Sequence, residues 1–87
     1  MAQEEKIARA TAVQAKYIDE LMRKRHVVGV AVGMAKQGGQ YTQDVALVVM
    51  VDEKVPPHLL DPDDRIPEEL DGVRVDVQET GTFTAQA

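Results

Sequence analysis

The 87-residue sequence contains no cysteine and no tryptophan, and serine and asparagine are missing as well. Without cysteine, disulfide bonds, thiolate metal sites and cysteine nucleophiles are excluded. Without serine, catalysis by a base-activated serine hydroxyl is also excluded. A chain of this length forms one domain near the lower size limit for independent folding. Association with another copy would therefore be a plausible source of additional stability.

Long hydrophobic segments are absent too. The longest uninterrupted apolar run covers residues 45–51, whereas a membrane-spanning helix needs about twenty residues. The N-terminal region carries Glu4 and Glu5 and has no apolar stretch of signal-peptide length. These features predict no membrane association and a cytoplasmic location.

Charge is distributed unevenly along the chain. Residues 1–38 hold seven Lys/Arg against four Asp/Glu, while residues 39–87 hold three against eleven. The acidic second half argues against a nucleic-acid partner, because phosphate binding requires a basic face. Complementary halves would attract neighbouring subunits head to tail. The alternative is two solvated surfaces, since exposed charge pairs contribute little.

Residues 3–25 are predicted to form one helix, because they are rich in alanine and contain neither glycine nor proline. Acidic residues begin this segment and residues 23–25 are all basic, an order that complements the helix dipole. An apolar stripe at helical spacing is formed by Ile7, Ala10, Gln14, Tyr17, Ile18 and Leu21.

Residues 27–51 are predicted to form a β-hairpin. Two runs rich in β-branched residues flank a turn that contains Gly38 and Gly39. Both faces of the second strand are apolar, and one helix covers only one face of a sheet. The other face is therefore predicted to be uncovered in the single chain and to contact a partner. Its residues are Ala46, Val48 and Met50.

Residues 52–72 contain all four prolines and form a long loop, with single helical turns predicted after Pro56 and at Pro67. Residues 73–80 alternate between apolar and polar and predict the last strand, followed by a polar tail at 81–87. This strand pairs either antiparallel with the second strand or parallel beside the first. The predicted fold class is α+β, with one N-terminal helix packed on a three-stranded sheet.

Polar residues give no metal-site or active-site pattern. His26 and His58 are the only histidines, and neither belongs to an HxH or HxxH motif. The acidic residues in 61–64 lack the glycine and the distal glutamate of a calcium loop. No carboxylate pair, such as Glu68 with Asp71, is singled out for acid–base chemistry. The sequence thus predicts no catalytic residues, no metal, no cofactor and no enzymatic activity.

Most of the chain, from about Val13 to Ala85, resembles the N-terminal region that precedes the catalytic domain of a group of bacterial trypsin-like serine peptidases and their plant relatives. The motifs that carry the resemblance are Val27-Val28-Gly29-Val30-Ala31-Val32-Gly33, Ala46-Leu47-Val48-Val49-Met50-Val51, Lys54-Val55-Pro56, Leu60, Arg65-Ile66-Pro67, Gly72-Val73-Arg74-Val75-Asp76-Val77 and Glu79-Thr80-Gly81. In that family the catalytic residues lie downstream of the Thr-Gly element, so none is carried over to this chain. The resemblance implies a non-catalytic region that acts as a pro-region, an inhibitory or chaperoning segment, or an assembly module.

The leading hypothesis is a non-catalytic protein-interaction or self-assembly domain, either a homo-oligomer or one bound to a peptidase-like domain. Its predicted contacts are an exposed sheet edge together with Ala46, Val48, Met50, Thr80, Gly81 and Phe83. One alternative is a small enzyme or ligand-binding protein whose site forms between subunits from His58 and the acidic loop. Another is a peptidase pro-region that inhibits in trans through residues 80–87.

Overall fold

A computed structural model describes the backbone of residues 2–80 and the side chains of residues 4–80. The fold is α+β with one N-terminal helix, as predicted, but the sheet has four strands instead of three. Its elements are α1 (Ala2–Met22), β1 (Val27–Gln37), β2 (Gln40–Val51), two 3₁₀ helices (Pro57–Leu59 and Pro62–Asp64), β3 (Glu69–Leu70) and β4 (Val73–Glu79).

The strands lie in the order β1-β2-β4-β3. β1 pairs antiparallel with β2, β2 pairs parallel with β4, and β3 pairs antiparallel with β4. Both positions predicted for the last strand are therefore wrong, because it lies beside the second strand and parallel to it. The physical reason is the connection after β2. It is long enough to return the chain to the end of the sheet where β2 entered, as a parallel pair requires.

Two tight turns set the register of the sheet. Gly38 and Gly39 join β1 to β2 with φ angles of 59° and 82°, which are the left-handed values that a two-residue hairpin turn requires. Asp71 and Gly72 join β3 to β4 in the same way, with φ angles of 50° and 82°. The second turn creates β3 where the sequence predicted a helical turn at Pro67.

The main core lies between α1 and one face of the sheet. Ala10, Val13 and Leu21 are buried against a cluster that includes Leu47 and Val49 of β2. Val13 was missing from the predicted apolar stripe, whereas Ile7, which was included, is 41% exposed. Burial of the large β2 side chains against α1 supplies the hydrophobic stabilisation of this layer.

The helix ends three residues earlier than predicted. Backbone bonds from Arg23 to Glu20 and from Lys24 to Leu21 tighten the chain after Met22, and His26 turns it with a φ of 72°. The basic residues 23–25 therefore follow the helix and do not form its last turn. The Lys24 ammonium instead donates to the carbonyl of Asp63 in the long loop, at 2.6 Å.

Candidate functional site

The face of β2 that was predicted to be uncovered is largely buried within the chain. Ala46 is 0% exposed and Val48 is 7% exposed, while Met50 is half-buried. The expectation of an open apolar face is therefore wrong for Ala46 and Val48. As contact residues for a partner they remain a prediction, and Met50 is the member of this set with accessible surface.

Curvature of the sheet explains this burial. β2 lies between β1 and β4, yet the Asp76 carboxylate of β4 accepts a hydrogen bond from the backbone N–H of Lys36 in β1, at 2.9 Å. Gln78 donates to the same carboxylate at 2.9 Å and approaches the carbonyl of Met34 at 3.5 Å. A register shift between Met34 and Lys36 marks a bulge, which bends β1 toward β4. Two polar side chains thus close the second face.

Small residues on β1 allow this close approach. Gly33 lies opposite Ala46, and a Cβ at Gly33 would meet the Val48 side chain at 3.4 Å. A Cβ at Gly29 would lie 2.8 Å from the Met50 methyl group. The glycines therefore provide space for the side chains of β2.

The outer edge of β1 is the longest strand edge without a neighbouring strand among the described residues. β1 pairs with β2 on one side only. Its residues 27–35 contain no charged residue and no proline, and they span about 30 Å at the usual strand rise of about 3.3 Å per residue. Charges, prolines and short length are the common means by which proteins protect a strand edge. β3, at the opposite edge, has only two residues.

One side chain from the helix partly covers this edge. The Gln14 amide donates to the carbonyl of Val30 at 2.8 Å, so this carbonyl points away from β2. Backbone groups alternate in an antiparallel ladder, and the register from Val30 to Val32 is continuous. The N–H and carbonyl of Val32 therefore point outward as well.

A cavity of about 380 Å³ lies beneath the long loop, beyond the end of α1. Its rim carries Arg25, Lys54 and Arg65 as well as acidic side chains. The His26 ring bonds the Asp52 carboxylate at 2.9 Å at one side of it. Apolar residues dominate its wall: Val51, Val55, Pro56, Pro57, Leu60, Ile66 and Val77. Cavities of this size and character are typical binding sites for apolar groups.

Thr80, the predicted contact residue that directly follows β4, lies next to this cavity. Thr80 is exposed, and its backbone N–H donates to the carbonyl of Val51, a cavity residue, at 2.9 Å. Gly81 and Phe83 lie outside the described residues. Thr80 therefore fixes the point from which residues 81–87 continue.

The loop residues of the alternative enzymatic hypothesis do not converge on a site. His58 is exposed in the first 3₁₀ helix and makes no hydrogen bond to a described residue. Asp64 accepts the backbone N–H of Arg25 at 3.2 Å, which is a structural role. Across residues 2–80, no group of three or more acidic or histidine side chains is arranged to hold a metal ion.

An exposed polar cluster joins α1 to the turn before β4. Lys16 and the Tyr17 hydroxyl each donate to the Asp71 carboxylate at 3.1 Å. The hydrogen bond from Lys16, followed by that from Tyr17, lowers the pKa of Asp71, and the same bond to Asp71 raises the pKa of Lys16. The two hydrogen bonds form a local tether between α1 and the turn before β4. The cluster lies on the open surface.

Comparison with models of known protein families finds no match, and comparison with curated protein sequences finds no significantly similar relative. Within the described part of the chain, no helix is both long and apolar enough to cross a membrane.

Proposed function

We propose that this protein is a non-catalytic, cytoplasmic interaction domain that self-assembles through the outer edge of β1. The observation that carries the proposal is the outer edge of β1, which has no neighbouring strand among the described residues and carries neither charge nor proline along residues 28–33. Such an edge is a template for a further strand. The predicted sheet-edge contact is retained in this proposal, whereas the predicted face of Ala46 and Val48 becomes part of the monomer core.

A second copy of β1 is the partner that this edge fits best. Antiparallel pairing of two β1 strands about a two-fold axis would extend the four-stranded sheet to eight strands across the interface. No like charges would oppose each other within residues 27–35, because this segment carries none. Backbone hydrogen bonds would supply affinity, and the half-buried side chains on both sides of the edge would lose further apolar surface.

The first experiment compares the native mass of the protein with that of two variants at Val32. Val32→Pro removes the outward N–H of the edge strand and leaves the bonds to β2 in place, a position where strands tolerate proline. Val32→Ala is the matched control, because it removes most of the same side chain but keeps the N–H. We expect a defined oligomer for the parent and for Val32→Ala, and a monomer for Val32→Pro, by light scattering after size-exclusion chromatography.

A second variant is needed in case Val32→Pro fails to fold, which circular dichroism would show. Gln14→Ala frees the carbonyl of Val30 on the same edge without altering the strand. The oligomer should then form at lower protein concentration. A parent protein that stays monomeric at the highest workable concentration would contradict self-assembly. The trypsin-like peptidase domain implied by the resemblance would then be the next partner to test for binding.

Salt distinguishes edge pairing from head-to-tail attraction between the oppositely charged halves. Exposed charges are screened at high ionic strength, whereas strand pairing and apolar burial are not. We therefore expect the oligomer to persist in high salt. Dissociation by salt would instead implicate the basic region 1–38 and the acidic region 39–87.

A further inference from the structure

The cavity beneath the long loop combines an apolar wall with a charged rim. Val51 and Val77 from the sheet form one side of the wall, and Leu60 and Ile66 from the loop form the other. The cavity has a volume of about 380 Å³. Because a dry cavity of about 150 Å³ holds benzene, the wall of this larger cavity accommodates an apolar chain of about ten carbons.

Two carboxylates near the rim are engaged by backbone groups of the chain. Asp64 accepts the N–H of Arg25 at 3.2 Å, and Glu79 accepts the N–H of Lys54 at 2.7 Å. These bonds hold the backbone of two basic residues at the edge of the cavity. Glu53 is the other acidic residue in the lining, and it is exposed.

The charged ends of the same two basic residues are available to a ligand. Among residues 4–80, the Arg25 guanidinium and the Lys54 ammonium have no hydrogen-bond or ion-pair partner, and both residues are exposed. Arg65 supplies a third cation, whose Nε donates to the carbonyl of Pro57 at 2.9 Å. Three cationic side chains and two acidic ones therefore line the cavity, and the rim favours an anion.

We propose that this cavity binds an amphipathic carboxylate, which is a compound with one carboxylate group and an apolar chain of about ten carbons. The chain packs against the apolar wall, and the carboxylate lies at the rim beside Arg25 and Lys54. Burial of the chain supplies most of the affinity, while pairing with the two cations selects an anionic head group. This site is built from the turn after α1, the loop and the ends of β2 and β4, so binding is independent of assembly through β1.

Decanoate is the probe that tests the proposal, used below its micelle-forming concentration. Titration into isotope-labelled protein, followed by NMR, should give saturable shifts of the amide signals of Val51, Leu60 and Ile66. Decanol has the same chain length without the charge, and we expect it to bind about tenfold more weakly, because it lacks the two ion pairs. Decylamine should bind more weakly still. The proposal would be overturned if decanoate did not bind saturably, or if decanol or decylamine bound as tightly.

Replacing the two cations tests their role without disturbing the backbone bonds beneath them. The double variant Arg25→Gln with Lys54→Gln keeps both N–H donors, and it should bind decanoate about tenfold more weakly and decanol equally well. The matched control is Arg9→Gln with Lys6→Gln, which makes the same charge change on a different surface. Equal weakening in the two double variants would mean that only the overall charge matters, which contradicts a site at this rim.

Neighbouring leucines locate the chain of the ligand. Leu60 lines the cavity, whereas Leu59 is 67% exposed and lies outside its wall. Leu60→Asp should abolish decanoate binding, and Leu59→Asp should leave it unchanged. Native mass, measured with and without decanoate, separates this site from the β1 edge. Decanoate binding by the oligomer alone, with none by the monomer, would contradict a site within one chain.

Discussion

The two faces of β2 are both buried, but they are buried by different means. On one face Leu47 and Val49 pack against α1, and the contacts are between large apolar side chains. On the other face Ala46 and Val48 are buried because the sheet curves over them. Hydrogen bonds between β1 and the side chains of Asp76 and Gln78 hold this curvature. The helix α1 covers the first face, whereas strands of the same sheet close the second face.

This difference shows that a strand with two apolar faces does not by itself require a partner on its second side. Small residues in β1 leave space for the side chains of β2, and a bulge bends the strand over them. Within the described part of the chain, the edge of β1 has no neighbouring strand and the loop cavity stays open, whereas Ala46 and Val48 on the second face are buried.

The largest expected effect on stability comes from truncating Leu47 and Val48, which lie on opposite faces of β2. Leu47→Ala should reduce the free energy of unfolding by about 3 kcal/mol, because it leaves a cavity in the core against α1. Val48→Ala should cost about 1–2 kcal/mol, since a smaller group is removed beneath a polar cover. Denaturant unfolding of both variants measures this. A cost for Val48→Ala that equals or exceeds that of Leu47→Ala would contradict the distinction between the faces.

The polar closure of the second face can be removed separately. Asp76→Ala deletes the acceptor of the Lys36 N–H, and we expect a loss of about 1 kcal/mol in the free energy of unfolding. Hydrogen exchange at the Lys36 amide should become faster. Asp44→Ala is the control, because the Asp44 carboxylate forms an exposed ion pair with Arg74 at 3.7 Å. Unchanged exchange at Lys36 in Asp76→Ala would show that the carboxylate does not hold β1.

The smallest expected effect concerns the tether between α1 and the turn before β4. Because its pKa is lowered below the ordinary value of 3.8 in the folded protein, Asp71 stabilises the fold above that pH. This contribution is lost as the pH falls through the folded pKa. Asp71→Asn keeps a residue that tolerates positive φ but removes the charge. Its denaturation midpoint should be lower than that of the parent at neutral pH and should converge with it in acid. A constant difference at every pH would argue against the tether.

Local signals made much of the fold predictable. Alanine content predicted the helix, β-branched runs around Gly38 and Gly39 predicted the hairpin, and alternation predicted β4. The Asp71-Gly72 pair between β3 and β4 is a common hairpin-turn signal. This pair could have indicated β3, although a strand of two residues is too short to show a periodic pattern.

The candidate sites were less predictable, because they depend on contacts between distant segments. The exposed sheet edge was anticipated, but its position on β1 follows from the order of the strands. The cavity combines residues from the turn between α1 and β1, from β2, from the loop and from β4. No spacing in the sequence links these positions, so the sequence pattern gave no indication of the cavity.

The sequence by itself determined the helix, the hairpin and β4, and it excluded cysteine and serine nucleophiles, because helix propensity, turn chemistry and residue inventory are local properties. Only the tertiary structure decided that β4 lies parallel to β2 and that Ala46 and Val48 are internal. Both outcomes depend on the path of residues 52–68 and on the bend of β1 toward Asp76. Such long-range geometry is set by the balance of packing and hydrogen bonding over the whole chain, which no local pattern contains.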